Sequence, residues 1–405
     1  MAGGCRGFRV PRLGYNARLN HFNISGFPMR IAIFLLGFCL PALFCMSSIA
    51  QERSLGDALK VIKGVGVAGL GHEDAVKAMA TLNAASADDI PEMLQGMEGA
   101  SRLSLNWIRG AIQSSLDRGV LPNEEVEAYW RDVSGSHMGR LMAYELLVEA
   151  NPDFSSNHVA SMLEDPSLPL RQLAVQDFID RSQATEDSGE AVALLAQALP
   201  HARDNNQIAE IAKLLAVEGI EVDLQKQLGV LSRWHVVGPF DNTGEIGFEE
   251  VFGPEKAPGD IDLSATYADS KNGTPVTWRL FNTLDSAGVV NLNELLGEEK
   301  GVVAYAFAEF DAVAAQEVDI RIGCINGNKV WVNGEEVLNN EIHHVGMMMD
   351  QFVGRSQLKK GVNQILFKVC QNEQSQPWAN RWAFQLRVCE DDGKAVSPAK
   401  KIVSE

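Results

Sequence analysis

Residues 371–384, with the sequence "QNEQSQPWANRWAF", combine an aromatic ring with amide and guanidinium groups. Trp378 follows a proline and has Gln376, Asn380 and Arg381 as close neighbours in the chain. The flat face of an indole packs on the apolar face of a sugar ring, while polar neighbours bind the ring hydroxyls. This stretch therefore predicts carbohydrate binding, with Trp378 as the stacking surface and the other three as hydrogen-bonding groups. The alternative is that Trp378 closes one end of a folded sheet.

A second group of polar side chains, Asp241, Asn242 and Glu245, lies in the stretch "GPFDNTGEIGFEE". Calcium binds six to eight oxygen ligands, which carboxylates and amides supply. These residues therefore predict a structural calcium site, although their spacing matches no defined calcium-binding loop. The alternative is a turn whose acidic side chains are solvated.

Catalytic sequence patterns do not occur in the chain. It contains no His-Glu-x-x-His, no Gly-x-Ser-x-Gly and no glycine-rich phosphate loop. His343 and His344 are adjacent, and adjacent residues of a strand point to opposite faces, so this pair does not chelate one metal. The sequence thus favours a non-catalytic protein. It leaves open an enzyme that acts on glycans, with its catalytic groups in the first half of the chain.

The second half of the chain must position the groups around Trp378, and its pattern is that of short strands. From residue 229 to 396, runs such as "RWHVVGPF", "VVAYAFAEF" and "NQILFKVC" are separated by turn residues. Seven or eight such runs predict a β-sandwich rather than a parallel sheet with helical crossovers. In "KVWVNGEEVL", Asn333 and Gly334 both tolerate positive φ angles, which predicts a type I′ hairpin turn.

The stretches "EVDIRIGCINGNKVWVNGEEVL", "LKKGVNQILFKVCQN" and "WAFQLRV" resemble the galactose-binding-like jelly roll of β-galactosidase-like and related glycan-processing proteins. The residues that match its Val-x-Val-Asn-Gly and Lys-Gly-x-Asn turns are Val330, Val332, Asn333, Gly334, Lys360, Gly361 and Asn363. The resemblance covers about residues 232–390. It implies a jelly roll that binds sugar and that often holds a structural ion.

Residues 51–228 carry helical patterns rich in Ala, Leu, Glu and Gln. A basic residue recurs at intervals of 31 or 32 residues, and a small or apolar residue follows three positions later. The pairs are Lys77 with Ala80, Arg109 with Ile112, Arg140 with Ala143, Arg171 with Ala174 and, at a longer interval, Lys213 with Ala216. This pattern resembles short HEAT-type repeats over about residues 57–220, which implies an extended surface for a protein partner. An irregular helical domain with accidental spacing is the alternative.

The first 50 residues have the features of an export signal. Met29 and Arg30 precede the apolar run "IAIFLLGFCLPALFCM", and the small residues Ser48 and Ala50 suit a cleavage site. The run is too short and too interrupted by proline for a typical membrane span. We expect a signal peptide over about residues 29–50, export to the periplasm or the extracellular space, and no stable membrane insertion after cleavage. The alternative is an uncleaved anchor.

The charge of the chain argues against nucleic acid as a partner. The formal net charge is −18 at pH 7, and the first 50 residues carry five arginines and no acidic residue. Residues 51–405 therefore hold 30 basic and 53 acidic residues, a formal charge of −23. Such a surface repels phosphate backbones and anionic membranes.

Three cysteines follow the predicted signal: Cys324, Cys370 and Cys389. All three lie at the ends of apolar, strand-like runs, and their odd number excludes a full disulfide framework. We predict buried free thiols, and a single disulfide between two of them is left open.

Together these patterns predict a multidomain α and β protein. Its parts are a leader (1–50), a HEAT-like α-helical repeat domain (51–228), a galactose-binding-like jelly-roll β-sandwich (229–396) and a C-terminal tail (397–405). The predicted function is that of an exported, non-catalytic binding or scaffold protein, whose helical array holds a protein partner and whose sandwich binds a glycan. A glycan-processing enzyme and a purely structural component of the cell envelope are the alternatives.

Overall fold

Helices form the first half of the described chain, and antiparallel strands dominate the second. The computed structural model describes residues 54–399, so the predicted leader lies outside the described residues. The predicted fold class, a helical half followed by a β-sandwich, is confirmed. Both halves belong to one compact unit, and the predicted domain boundary at residue 228 stays a prediction. No helix between residues 54 and 399 is long and apolar enough to span a membrane.

Short helices pack around one apolar core in the first half. They are α1 (Leu55–Lys63), α2 (His72–Ala84), α3 (Ile90–Gln95), α4 (Arg102–Leu116), α5 (Asn123–Arg131), α6 (His137–Ala150), α7 (Asp153–His158), α8 (Leu168–Ala184), α9 (Ser188–Ala198), α10 (Asn205–Val217) and α11 (Leu224–Leu228). Several begin at a side chain that accepts a hydrogen bond from the first-turn backbone, among them Ser54, Ser101, Ser136 and Asp204. Such caps satisfy N–H groups that have no partner within the helix.

The repeated small or apolar positions of the helical half are only partly equivalent. Ile112, Ala143 and Ala174 are fully buried in α4, α6 and α8, as close helix packing requires. Ala80 and Ala216, which share the same sequence pattern, are exposed. The central three positions therefore behave as the repeat pattern predicts, and the outer two do not.

The basic residues of the same pattern lie in three different environments. Arg140 is buried and donates two hydrogen bonds to the carboxylate of Asp165, at 2.6 and 2.7 Å. Arg109 forms an ion pair at the surface. Arg171 donates to Asp392, a residue 221 positions later in the second half of the chain. Because a buried, bidentate pair leaves an uncompensated charge when one partner is removed, Arg140 has the strongest structural role of the three.

Antiparallel strands form two facing sheets in the second half. They are β1 (Arg233–Asp241), β2 (Thr266–Tyr267), β3 (Val276–Thr277), β4 (Arg279–Asn282), β5 (Val290–Asn291), β6 (Val302–Ala312), β7 (Gln316–Cys324), β8 (Gly327–Val332), β9 (Glu335–Asn340), β10 (Phe352–Leu358), β11 (Gly361–Gln371) and β12 (Ala383–Cys389), with α12 (Leu292–Leu296) after β5. The larger sheet has the strand order β4-β1-β6-β11-β8-β9, and the smaller has the order β10-β7-β12-β5. Strands β2 and β3 pair with each other.

Strand β6 is buried on both faces. Ala304 and Ala306 point to the core between the two sheets, where they meet residues such as Ile320 of β7. Tyr305 and Phe307 point the other way, into a second apolar cluster on the outer face of the larger sheet. This double burial explains why the run "VVAYAFAEF" lacks the polar alternation of a strand with one solvated face.

Residues 242–278 cover the outer face of the larger sheet, with Phe252 among their apolar contacts. Lys368 of β11 is fully buried and donates to the carboxylate of Glu255 at 2.7 Å. The hydroxyl of Tyr305 donates to the same carboxylate oxygen at 2.6 Å. Burial, followed by the charge of Glu255, raises the pKa of Tyr305 far above its usual value, so Tyr305 stays a donor. This paired charge network fixes the covering segment to the sheet.

The predicted hairpin connects β8 and β9. Asn333 and Gly334 have φ angles of +52° and +90°, as a type I′ turn requires. Val330 and Val332 point into the sandwich core, and Trp331 between them packs in the cluster on the outer face. Strand β8 is therefore buried on both faces.

The helical half contacts the smaller sheet through backbone and arginine hydrogen bonds. Arg387 of β12 donates to the carbonyl oxygen of Leu228 at 3.1 Å, and the backbone N–H of Leu231 donates to Leu386 at 2.9 Å. Arg387 also donates to the carboxylate of Asp350. These hydrogen bonds fix the segment at the end of the helical half to β12.

Cys324, Cys370 and Cys389 are buried and free, in agreement with the predicted buried thiols. Burial raises the thiol pKa to about 12 for Cys324 and Cys370 and to about 11 for Cys389. Because the thiolate is the reactive form, these thiols are poor nucleophiles in the folded protein.

Candidate functional site

Trp378 lies on a short helical turn, Pro377–Ala379, between β11 and β12. It is 63% exposed, whereas Trp382, four positions later, is fully buried in the sandwich core. A buried indole ring stabilises the fold because its apolar surface is removed from water, and an exposed ring does not make this contribution. The exposed ring of Trp378 is therefore available for stacking against a ligand.

Three loops meet beside the Trp378 ring. The ring of His344 meets it edge to face, with ring centroids 5.1 Å apart and an interplanar angle of 89°. Nε2 of His344 lies 2.8 Å from Oδ1 of Asn372, and Nδ2 of Asn372 donates to Glu245 at 3.1 Å. These contacts join the loops that follow β1, β9 and β11. They restrict the orientation of the indole before any ligand binds.

The hydrogen bonds around His344 define which ring nitrogen carries the hydrogen in the neutral imidazole. Oδ1 of Asn372 also accepts from the backbone N–H of Gln374, so it is an acceptor and Nε2 of His344 carries the proton. Nδ1 is buried and has no hydrogen-bond partner within residues 54–399. His344 also has a positive φ of 56°, a conformation that is uncommon outside glycine and is concentrated at functional sites.

The three predicted hydrogen-bonding neighbours of Trp378 keep their side chains unpaired. Gln376 and Arg381 are exposed, and Asn380 is half-buried. The backbone carbonyls of Asn380 and Arg381 accept from Asn293 and Asn326, at 2.8 and 3.4 Å. No hydrogen bond within the described residues involves the three side chains themselves. Their backbone is thus held while their amide and guanidinium groups remain available to a ligand.

A buried layer of amides supports the turn that carries Trp378. The carbonyl oxygen of Ala379 accepts from Lys300 at 2.7 Å and from the side chain of Gln371 at 3.1 Å. Gln371 in turn accepts from Asn326 at its side chain and from Asn242 at its backbone carbonyl. Burial lowers the pKa of the Lys300 ammonium. We call this set (Lys300, Gln371, Asn326 and Asn242) the amide base.

The predicted calcium ligands have separate partners. Asp241 accepts from the hydroxyl and the backbone N–H of Thr243, and the hydroxyl hydrogen bond is the main cause of its lowered pKa. Asn242 is buried in the amide base, and Glu245 accepts from Asn372. Within residues 54–399, no group of three or more His, Cys, Asp or Glu side chains is placed to hold a metal ion. A structural calcium at Asp241, Asn242 and Glu245 stays a prediction.

Sequence reasoning missed the roles of His344 and Asn372 and, apart from Asn242, the members of the amide base. His344 was considered only as one of two adjacent residues on a strand, but it lies in the loop after β9. The signal that could have identified Asn372 and Gln371 is their position directly before the Trp378 turn, within the stretch "QNEQSQPWAN". Long-range hydrogen bonds, such as the one that joins Asn372 to a residue 127 positions earlier, leave no local pattern in the sequence.

The acidic side chains of this network have hydrogen-bond partners of their own. Glu245 accepts a hydrogen bond from Asn372, and Glu373 accepts one from the backbone N–H of Gly244 at 2.8 Å. The exposed indole of Trp378 can stack on one face of a ligand's ring. The unpaired amide and guanidinium groups beside it can hydrogen bond to polar groups at the edge of that ligand ring.

The chain matches no family model, and no curated protein matches it. Among solved structures it is similar to an anti-sigma factor domain-containing protein, with 15% identity, 44% of this chain and 49% of that chain covered, and a TM-score of 0.25. It is also similar to a β-glucosidase from Kluyveromyces marxianus, with 10% identity, 59% and 36% covered, and a TM-score of 0.26. A third match is Pseudomonas fluorescens alkylpurine DNA glycosylase AlkC bound to DNA containing an abasic site analog, with 14% identity, 85% and 76% covered, and a TM-score of 0.20. The chain spans less than half of the first two proteins, and likenesses at these TM-scores establish neither a family nor a function.

Proposed function

We propose that this chain is a non-catalytic binding protein whose β-sandwich, of the galactose-binding-like type, binds carbohydrate at Trp378. The observation that carries the proposal is an indole that is 63% exposed yet held edge to face by His344. A preorganised aromatic surface binds a sugar ring at a low cost in conformational entropy. Gln376, Asn380 and Arg381 supply the hydrogen bonds to the hydroxyls.

The expected affinity for a single sugar is low. A sugar ring has about a dozen non-hydrogen atoms, and at about 0.3 kcal/mol per atom one ring contributes about 4 kcal/mol, a Kd of about 1 mM. Oligosaccharides that contact the Trp378 ring and its neighbours with two or three units bind more tightly. Screening therefore needs soluble oligosaccharides at millimolar concentration.

Intrinsic fluorescence of the full chain tests this proposal. Trp378 is the exposed tryptophan of the sandwich, because Trp234, Trp278, Trp331 and Trp382 are all buried. We expect a saturable change with at least one oligosaccharide of a broad panel, and loss of that change in Trp378→Ala.

The matched control is Trp107→Phe, which removes a half-buried indole from the helical half. It should leave the saturable change in place. Absence of a response across the panel, or a response that survives Trp378→Ala with the circular dichroism spectrum unchanged, contradicts sugar binding at this site.

A second function, binding of a protein partner, is proposed for the helical half, which we take to be HEAT-like. Val67, Leu70 and Val76 near its first two helices are 91%, 73% and 54% exposed. Exposed apolar side chains of this size favour a contact with another protein. The double substitution Val67→Lys with Leu70→Lys should remove the product in which this chain is cross-linked to a protein partner. The unaltered chain and the control Lys60→Gln should both give that product. Its persistence in the double variant contradicts the proposal.

Export is proposed together with these functions, since the segment with signal-peptide features precedes the described residues. A mature N-terminus near Gln51, read by mass spectrometry from protein in the periplasm or the medium, supports it. A chain that retains residues 29–50 in the membrane fraction supports the uncleaved anchor instead.

A further inference from the structure

A second polar cluster, remote in the fold from the β11–β12 turn, lies where the helical half meets the smaller sheet. A cleft of about 200 Å³ opens there. Its charged lining consists of Arg171 of α8, His201 and Arg203 before α10, Arg321 of β7, and two acidic residues, Asp204 and Asp392. We call it the seam cleft, and both halves of the molecule contribute to it.

Two of these arginines share one carboxylate oxygen. Nη1 of Arg171 and Nε of Arg203 donate to Oδ2 of Asp392, at 2.8 and 3.0 Å. The other oxygen of Asp392 accepts from the backbone N–H of Lys394 at 2.8 Å. One carboxylate therefore faces two guanidinium groups, and this trio keeps one positive charge.

The arginines of the seam cleft retain unused donors. Nη2 of Arg171 and Nη2 of Arg203 have no hydrogen-bond acceptor within residues 54–399, and neither does the side chain of His201. Nε of Arg321 is buried and unpaired, although its other nitrogens donate to carboxylates. Nη2 of Arg171 and Nη2 of Arg203, unlike Nε of Arg321, are not buried, so a ligand whose oxygens reach them forms charge-assisted hydrogen bonds.

Partial burial of the three arginine side chains strengthens the hydrogen bonds that they donate to a bound ligand. The side chains of Arg171, Arg203 and Arg321 are only 12%, 15% and 15% exposed. Charge-assisted hydrogen bonds at partly desolvated guanidinium groups are stronger than those at fully solvated ones. In a chain with a formal charge of −18, a recessed basic cleft is a local exception to the surrounding field.

We propose that the seam cleft binds a small oxyanion, the phosphate or sulfate group of a free ion or of a sugar ester. The guanidinium groups of Arg171 and Arg203 donate to its oxygens from the helical half, and Arg321 approaches from the sheet. A bare phosphate occupies only part of the cleft, which leaves room for one attached sugar ring. Because residues of both halves contact the anion, binding stabilises the contact between them.

Isothermal titration calorimetry with the full chain tests this site at constant ionic strength set with sodium chloride. Three ligands are compared: inorganic phosphate, inorganic sulfate and glucose 6-phosphate. We expect saturable binding of at least one, with Arg203→Gln weakening it about tenfold or more because one charge-assisted hydrogen bond is lost. Arg131→Gln, which removes an exposed arginine of α5, should leave the affinity unchanged.

Two further variants keep the test decisive if Arg203→Gln unfolds. His201→Ala removes a side chain that makes no hydrogen bond within the described residues, and we expect it to weaken anion binding about two- to threefold without loss of the thermal transition. Trp378→Ala should bind the anion as the unaltered chain does, which separates this proposal from the sugar site.

The outcomes divide clearly. Saturable binding of the two inorganic ions indicates a free oxyanion. Binding of glucose 6-phosphate alone indicates an ester and supports the site only if it persists in Trp378→Ala and weakens in Arg203→Gln; loss of that binding in Trp378→Ala assigns it to the sugar site and overturns this one. No saturable heat from any of the three ligands overturns it. So does an equal loss of affinity in Arg131→Gln and Arg203→Gln, because that would show binding to the overall charge.

Discussion

The loop end around Trp378 and the seam cleft are two polar regions built from different groups. The loop end rests on side-chain amides and one ammonium group, with Gln371, Asn326 and Lys300 hydrogen bonded beneath an exposed ring. The seam cleft is built from guanidinium and carboxylate groups, with Arg171 and Arg203 on one oxygen of Asp392. An exposed aromatic face with polar neighbours suits a sugar ring, whereas two recessed guanidinium groups side by side suit an anion. The difference predicts two ligands of different chemistry on one chain.

The largest expected effect of a substitution on stability is at Asp350, in the charged cluster beside the seam cleft. Asp350 accepts from Arg387 and Arg321, at 2.6 and 3.2 Å. Asp350→Asn keeps a residue that tolerates the positive φ of this position, but it leaves the buried Arg387 without its carboxylate and Arg321 with Asp319 alone. We expect a loss of about 3 kcal/mol in the free energy of unfolding, measured by urea denaturation.

The control for Asp350→Asn is Asp391→Asn, which changes an exposed acid in the turn after β12. It should alter the free energy of unfolding by less than about 0.5 kcal/mol. Equal effects of the two substitutions would show that the paired charges beside the seam do not determine stability.

A smaller effect is expected in the amide base. Gln371→Leu removes the acceptor of Asn326 and one of the two donors to Ala379. Because the lost partners are neutral, we expect a destabilisation of about 1–3 kcal/mol together with weaker sugar binding. Gln374→Leu, at an exposed position of the same loop, is the control. A stable Gln371→Leu protein with unchanged sugar affinity would contradict the supporting role of the amide base.

The pH dependence of stability distinguishes the two regions further. Burial alone would raise the pKa of Asp392, but the Lys394 N–H, Arg171 and Arg203 outweigh burial and hold it below the ordinary value of 3.8. A carboxyl whose pKa is lowered on folding stabilises the protein above its unfolded pKa, and that contribution is lost as the pH falls through the folded pKa.

The free energy of unfolding should therefore fall below about pH 4 more steeply in the unaltered chain than in Asp392→Asn. Denaturation series between neutral pH and pH 3 measure this difference. Parallel pH profiles for the two proteins would show that the hydrogen bonds from Arg171 and Arg203 to Asp392 do not contribute to the free energy of unfolding.

The smallest expected effect on stability is that of Trp378→Ala. Because the ring is mostly exposed, its removal should change the free energy of unfolding by no more than about 0.5 kcal/mol. The same substitution should abolish sugar binding. A large destabilisation would instead favour the alternative in which Trp378 closes the end of the sandwich.

Local sequence patterns predicted the strands and the hairpin well, since turn chemistry and period are local properties. Asn333 and Gly334 take the predicted positive φ angles of the hairpin turn. The double burial of β6 was not predicted, because the segment that covers it, residues 242–278, has no regular pattern.

The candidate sites were predicted less completely. Trp378 was found from its polar neighbours in the chain, but the contact with His344 depends on how the loops after β9 and β11 fold together. The seam cleft was not predicted at all, although Arg171 was identified by its spacing. Its partner Asp392 lies 221 residues later, and no local pattern joins residues at that separation.

The most direct test of this comparison is a nuclear magnetic resonance titration of the isotope-labelled chain, followed at indole and arginine side-chain N–H signals. With an oligosaccharide selected by fluorescence, we expect the Trp378 indole signal to shift and the Arg203 signal to stay in place. With phosphate or sulfate, we expect the reverse. A sugar that leaves the Trp378 signal unchanged while it binds would contradict the proposed function.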